Sequence, residues 1–246
     1  MPRAYRNAPL IEALCEFRFD PASLWDPTIP GLLYGELRTD FPVREPTRAI
    51  EATVTSAPGA IQQAVIEVDR LQMYREDRTA VVQLSPHLLV VNQLKPYPGW
   101  EAFYPVVQRA LRLYRDIAKP TALFQIGLRY INRIQIQGVL ADLHQYFDFY
   151  PHVGAELLQD SSAFLAGVQT SINNGRDSLR VQLASTVPDV PDTLQILLDI
   201  YLTLEKSRAL SFDQIDGWLN DSHGTVEQAF EGCIREGLRK QFDEVD

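Results

Sequence analysis

The same order of local signals runs along this chain twice. Leu10–Phe19 alternates, with Ile11, Ala13, Cys15, Phe17 and Phe19 on one face and Glu12, Glu16 and Arg18 on the other, the pattern of a half-buried strand. Asp20–Pro21 ends it. Pro30 opens a short helix that runs to Phe41 and stops before Pro42. Strands follow at Ala49–Thr55, Ile61–Arg75 and Thr79–Leu94, the last bending at Ser85–Pro86. A helix from Gly99 to Ile117 then keeps Phe103, Val107, Ala110, Leu111 and Tyr114 at helical spacing. Ala122–Ile136 restarts the series as a strand, followed by a short helix over Leu140–Phe149. Strands come next at Ala163–Asn173, Ser178–Thr186 and Thr193–Glu205, with an Asn174–Gly175 hairpin signal between the first two. A helical segment at Phe212–Leu219 leads into a final helix striped by Val226, Phe230, Cys233, Ile234, Leu238 and Phe242.

Each half reads β-α-β-β-β-α, and the near-equal lengths point to duplication. The expected fold is α+β, with halves at 1–119 and 120–246 sharing one long antiparallel sheet and helices packed on one face. That topology is similar to the duplicated sheet of the TATA-box-binding protein, a likeness of fold that carries no function.

Composition narrows the functional classes. Lys and Arg number 23 against 32 Asp and Glu, a formal charge of −9. Phosphate binding needs a basic surface, so the balance argues against nucleic acid. Cys15 and Cys233 each sit in an apolar pattern and read as small buried hydrophobes. With no CxxC, no zinc spacing and no signal peptide, a reducing cytoplasm is the expected compartment, and no apolar run spans a bilayer. His87, His144, His152 and His223 have no metal-ligand spacing, and no GxSxG, HExxH or P-loop occurs. No catalytic residue, metal site or cofactor is expected. Asp142, His144 and Asp148 read as a solvated helix face. His223, after Asp221 and Ser222, falls where a helix N-cap is expected.

Two segments stand out. In Leu128–Ile134 (LRYINRI), Asn132 lies mid-strand on an otherwise apolar face and must find hydrogen-bond partners. If the two first strands lie side by side, Glu12, Glu16 and Arg18 meet Arg129 and Arg133 in an opposite-charge ladder. That ladder either fixes register or lines an anion-facing groove. In Lys95–Trp100 (KPYPGW), Tyr97 and Trp100 form either an aromatic plug at a rigid corner or a lip over a ligand.

These segments, with Asn7–Phe19 (NAPLIEALCEFRF) and Leu197–Asp199 (LLD), occur in the same order in a family that the chain resembles. It is a family of sporadically distributed bacterial proteins of unknown function. The resemblance implies no activity and no catalytic residue; its scattered distribution implies a setting in defence or toxin–antitoxin loci. The expected role is that of a non-enzymatic binding protein that engages another protein or its own copy. Glu12, Glu16, Arg18, Tyr97, Trp100, Arg129, Asn132 and Arg133 are its candidate contact residues. The alternative is a small-molecule or nucleotide binder, or an enzyme, that holds a small anionic ligand in a groove at the sheet centre.

Overall fold

The computed structural model describes residues 3–57, 60–138, 142–151, 163–205 and 209–245. They form an α+β protein built on one nine-stranded antiparallel sheet. The strands are β1 (Leu10–Phe19), β2 (Val43–Ala57), β3 (Ala60–Tyr74), β4 (Ala80–Ser85), β5 (Leu88–Leu94), β6 (Leu123–Gln137), β7 (Leu165–Ile172), β8 (Asp177–Thr186) and β9 (Thr193–Leu204). Four helices are described: α1 (Ile29–Leu37), α2 (Trp100–Ala118), α3 (Ile215–Cys233) and α4 (Glu236–Phe242). Across the sheet the strand order is β2-β3-β4-β5-β1-β6-β9-β8-β7. Its centre is the β1–β6 pair, where Cys15 lies opposite Leu128 and Leu14 opposite Arg129.

Alternation decides which face is buried. Ala13, Cys15 and Phe17 of β1, Ile126 and Leu128 of β6, and Leu198 and Ile200 of β9 are fully buried. They form one core with Leu33 of α1, Phe103 and Val107 of α2, Leu219 and Val226 of α3 and Leu238 of α4. At about 25 cal/mol per Å² of apolar surface, this helix-covered face is the main source of stability. Among the described residues the opposite face carries no helix. There Glu12, Leu14, Glu16 and Arg18 are half-buried, while Val81, Val90 and Asn92 are buried beneath longer neighbours.

Three local expectations need correction. The strand expected over Thr79–Leu94 is two strands, β4 and β5, because the chain reverses at Pro86–His87, where His87 takes a left-handed φ of 59°. The first half therefore holds five strands. The helix expected over Leu140–Phe149 is, within the described 142–149, a single 3-10 turn at Leu143–Gln145. Its Asp142 carboxylate accepts from His144 N, and buried Phe147 then bridges the backbone of Ile234, which holds the chain extended. That same bridge splits the last helix. The stripe from Val226 to Phe242 crosses a break at Ile234–Arg235, which separates α3 from α4.

The hairpin signal at Asn174–Gly175 falls on a turn in which Asn173, Asn174 and Gly175 all have positive φ, a conformation that Asn and Gly tolerate best. Directly after it, the fully buried Asp177 carboxylate accepts from Arg176, Asn173 and the Trp218 indole of α3. Burial works to raise its pKa, but these three donors outweigh that effect and hold it below the usual carboxylate range.

Candidate functional site

The centre of the sheet presents a different set of polar groups on each face.

On the open face, the charge ladder expected between β1 and β6 does not form. Glu12 lies opposite Ile131 and Glu16 opposite Gly127, so no carboxylate of β1 is directly across from an arginine of β6. Arg129 instead reaches the other way. Its Nε and Nη2 both donate to the Asp199 carboxylate of β9 at 2.8 Å, a two-pronged charge-assisted contact. Arg133 pairs with Asp189 in an exposed ion pair at 2.9 Å, and Arg18 folds back on Glu16 of its own strand at 2.7 Å. The arginines of β6 find their anions on the far side, at Asp199 of β9, which lies diagonal to Arg129 and opposite Ile131, and at Asp189 in the turn before β9.

Glu12 ends a chain of another kind. Tyr74 Oη donates to Gln72 Oε1 at 3.0 Å, Gln72 Nε2 to Gln83 Oε1 at 3.1 Å, and Gln83 Nε2 to Asn92 Oδ1 at 2.9 Å. Asn92 Nδ2 then donates to Glu12 Oε1 at 2.6 Å. The chain crosses β3, β4, β5 and β1, and each donor points toward the carboxylate. Hydrogen bonds aligned in this way polarise one another.

Beside it lies Tyr201, whose ring has the guanidinium of Arg180 at 5.3 Å and that of Arg129 at 5.8 Å from its centroid, within cation–π range. The ring lies across Gly127. A Cβ at that position would come within 2.6 Å of Tyr201 Cε2. A glycine inside a strand is thus explained by close approach.

On the helical face, the corner Lys95–Trp100 is a plug and not a lip: both rings turn inward. Tyr97 Oη and Tyr130 Oη are 3.0 Å apart, Tyr130 Oη lies 2.9 Å from His223 Nδ1, and His223 Nε2 is 3.3 Å from Glu227. Trp100, only 8% exposed, stacks on the imidazole at 4.5 Å and donates its indole N–H to Asn220. His223 is not a helix cap. It sits in the middle of α3, which carries it over Tyr130.

A neutral imidazole satisfies this whole row. Nε2–H donates to Glu227, Nδ1 accepts from Tyr130, and Tyr130 accepts from Tyr97. A charged imidazole would aim an N–H at Tyr130 and force that hydroxyl to reverse. Burial accordingly pushes the His223 pKa down to about 4. Glu227 is raised, first by burial and then by the nearby Glu231. Burial also raises both tyrosines and the Cys15 thiol, so none of these groups is a ready nucleophile at neutral pH.

Asn132, 4% exposed, donates from Nδ2 to Leu198 O at 3.2 Å. Its amide is tied to the neighbouring strand and aims at no opening.

Sequence reasoning missed His223, Tyr201, Asp199 and the Gln72–Gln83–Asn92 row. Asp199 lies in the Leu197–Asp199 segment that the sequence marks; the amide row depends on register between β3, β4 and β5. Two cavities, of about 690 Å³ beside Trp25, Pro30 and Leu84 and about 360 Å³ beside Phe41, Pro105 and Arg109, touch none of the candidate residues. No group of His, Cys, Asp or Glu able to hold a metal occurs among the described residues, and no described helix is long and apolar enough to cross a membrane. The chain matches no protein-family model and no curated protein.

Proposed function

We propose that the protein is a non-enzymatic binding protein that receives another protein on its open sheet face. The observation that carries this reading is the surface already assembled there. The Tyr74–Glu12 hydrogen-bond chain and the Arg129–Asp199–Tyr201–Arg180 cluster hold their side chains in fixed geometry before any partner arrives. A preorganised surface loses little side-chain entropy on binding, which is a main cost of association. Arginine and tyrosine are also the residues most enriched at binding hot spots. Arg18, Arg129, Arg133 and Arg180 share this face with Glu16, Asp199 and Asp189, to which they are paired, so the partner is expected to meet a charge-balanced surface of ordered polar groups. A duplicated ancestry fits the strand order, which runs outward from β1 and β6 in the same manner on both sides. The resemblance to sporadic bacterial proteins favours a partner encoded in the same defence-type locus.

The test begins with capture of the partner from an extract of the native host on immobilised protein, followed by titration of the purified pair. Arg133→Glu and Leu14→Arg should each weaken binding at least about tenfold, roughly 1.4 kcal/mol, and hydrogen exchange should protect β1, β6 and β9. A partner that binds both variants as tightly as the wild type, or that protects α2 and α3 instead, sinks the proposal.

A further inference from the structure

The β2–β3 hairpin runs past its neighbours and leaves a step in the sheet. β2 and β3 pair along their whole length, from Val43 opposite Tyr74 to Ala57 opposite Ala60, but β3 pairs with β4 only over Leu71–Tyr74. The β3–β4 ladder stops at Leu71 opposite Leu84, one position before Arg70 would meet Ser85. There the chain turns from β4 into β5 through Pro86 and His87. The larger of the two cavities, about 690 Å³, opens at this step.

Its apolar walls are rigid. Leu71 and Leu84 line it from the sheet, and Trp25 lines it from the segment that leads into α1. Pro27, Pro30, Pro46 and Pro86 complete the walls. Proline fixes φ, so this shape is set before a ligand arrives and little ordering is lost on binding. Trp25 is half-buried and meets His87 edge-on at 6.0 Å. An indole set among proline and leucine forms a slot for a flat apolar body, because aromatic rings favour offset stacking and edge contacts.

The polar groups of the cavity are mostly donors. Thr47, Arg48, Arg70 and Ser85 line it, against one carboxylate, Asp69. Arg48 and Asp69 pair at 3.7 Å with side chains 77% and 94% exposed, a kind of contact that contributes little and exchanges readily. Arg70 is half-buried and makes a long hydrogen bond of 3.4 Å to Gln83 Oε1. Ser85 differs from the rest. It is 3% exposed, and its Oγ has no hydrogen-bond partner. A buried hydroxyl left in this state is destabilising and rare. Here its residue forms part of the wall of a cavity of ligand size.

We propose that the step is a binding site for a small aromatic carboxylate, whose ring lies against Trp25 and the prolines and whose carboxylate accepts from Ser85 Oγ and from the guanidiniums of Arg48 and Arg70. Two guanidiniums against one carboxylate give the lining a net positive charge, which favours an anion. A nucleotide matches poorly, since no glycine lines the cavity to bring backbone N–H groups onto phosphates. The site shares no residue with the open-face contacts, so either reading can fail alone.

Naphthoate serves as the probe, in isothermal titration of the purified full chain. One saturable site is expected, with a Kd below about 1 mM, as suits an unoptimised ligand of that size. Naphthylmethylammonium, the same ring with the opposite charge, should bind at least about tenfold more weakly. Ser85→Ala should weaken naphthoate binding about five- to tenfold. The melting temperature of the unliganded variant should stay the same or rise, because the lost hydroxyl makes no bond. Trp25→Ala should weaken binding at least about tenfold, and Arg133→Glu, on the open face, should leave it unchanged. Absence of saturable binding in the millimolar range, equal binding of the ammonium compound, or a Ser85→Ala variant that binds as tightly as the wild type overturns the inference. So does a lowered melting temperature in Ser85→Ala, which would make the hydroxyl structural. Weakened binding in Arg133→Glu would place naphthoate on the open face and overturn it as well.

Discussion

The two faces of the β1–β6 centre solve one problem in two ways. Each carries polar groups that must be satisfied, but on the helical face they are sealed, and on the open face they are laid out. Under α3, Tyr97, Tyr130 and His223 form a hydrogen-bonded row that ends at Glu227, with Trp100 stacked on the imidazole. Across the sheet, Tyr74, Gln72, Gln83, Asn92 and Glu12 form a row of similar length that no described helix covers. A sealed network is costly to break, because groups that lose a partner stay buried. The open row is half-buried except at Asn92, so its other groups can turn to water at modest cost. The helical-face cluster therefore belongs to stability and the open-face row to recognition.

Four measurements put that contrast at risk, in descending order of effect. Trp100→Ala should remove the seal and lower unfolding free energy by about 3–5 kcal/mol in a denaturant titration; a loss under about 1 kcal/mol would place Trp100 outside the core. The second is pH. His223 has a pKa of about 4 when folded, against an ordinary 6.5, so between those values the unfolded chain binds more protons. The stability due to a neutral His223 is complete above pH 6.5 and is lost as pH falls toward 4, by up to about 3 kcal/mol. In His223→Gln that part of the acid-side fall should vanish, leaving only the slope due to other groups. An unchanged slope would mean that His223 is solvated.

The third measurement lies on the open face. Gly127→Ala should cost about 1–3 kcal/mol through collision with the Tyr201 ring. Adding Tyr201→Ala should recover part of it, so that the two changes are less than additive. Additive losses would mean that the glycine serves the backbone and not the ring. Smallest of all, Gln83→Ala breaks the amide row at its middle. It should cost about 1–2 kcal/mol, since Gln72 is half-buried but Asn92, whose Oδ1 loses its donor, is 2% exposed. A loss as large as that of Trp100→Ala would erase the distinction between the faces.

Much of the architecture was legible in the sequence. Period-two alternation located β1, β6, β8 and β9 to within a few residues, and the Asn-Gly pair marked the β7–β8 turn. What failed was settled by contacts between distant residues. The helix at 140–149 had acceptable spacing, but the backbone of Phe147 is claimed by Ile234. Nothing local to either segment announces that bridge. The site divided in the same way. Asn132 was recognised as a buried amide in need of a partner, and Leu198 O is that partner. The Glu–Arg ladder was drawn from face and charge alone. It failed because Glu12 and Asp199 both lie opposite Ile131, equally diagonal to Arg129, and the guanidinium takes Asp199 while Glu12 is engaged by Asn92 of β5. His223 was misplaced because Asp-Ser before it imitates a cap, whereas Ser222 is 2% exposed and turned into the core.

One feature of the open face has a further physical consequence. A glutamine or asparagine amide can turn end for end with little change in shape, so a row of them has two senses. Glu12, fully an acceptor when ionised, selects one sense for Asn92, Gln83 and Gln72 in turn. The three amide dipoles then add along a line that crosses four strands. The Glu12 carboxylate and the Arg70 guanidinium, which donates to Gln83 Oε1, thereby hold the same sense out to Tyr74, and Glu12→Gln would leave Arg70 alone to hold it. The open face is thus a surface with a direction, held by one carboxylate and one guanidinium.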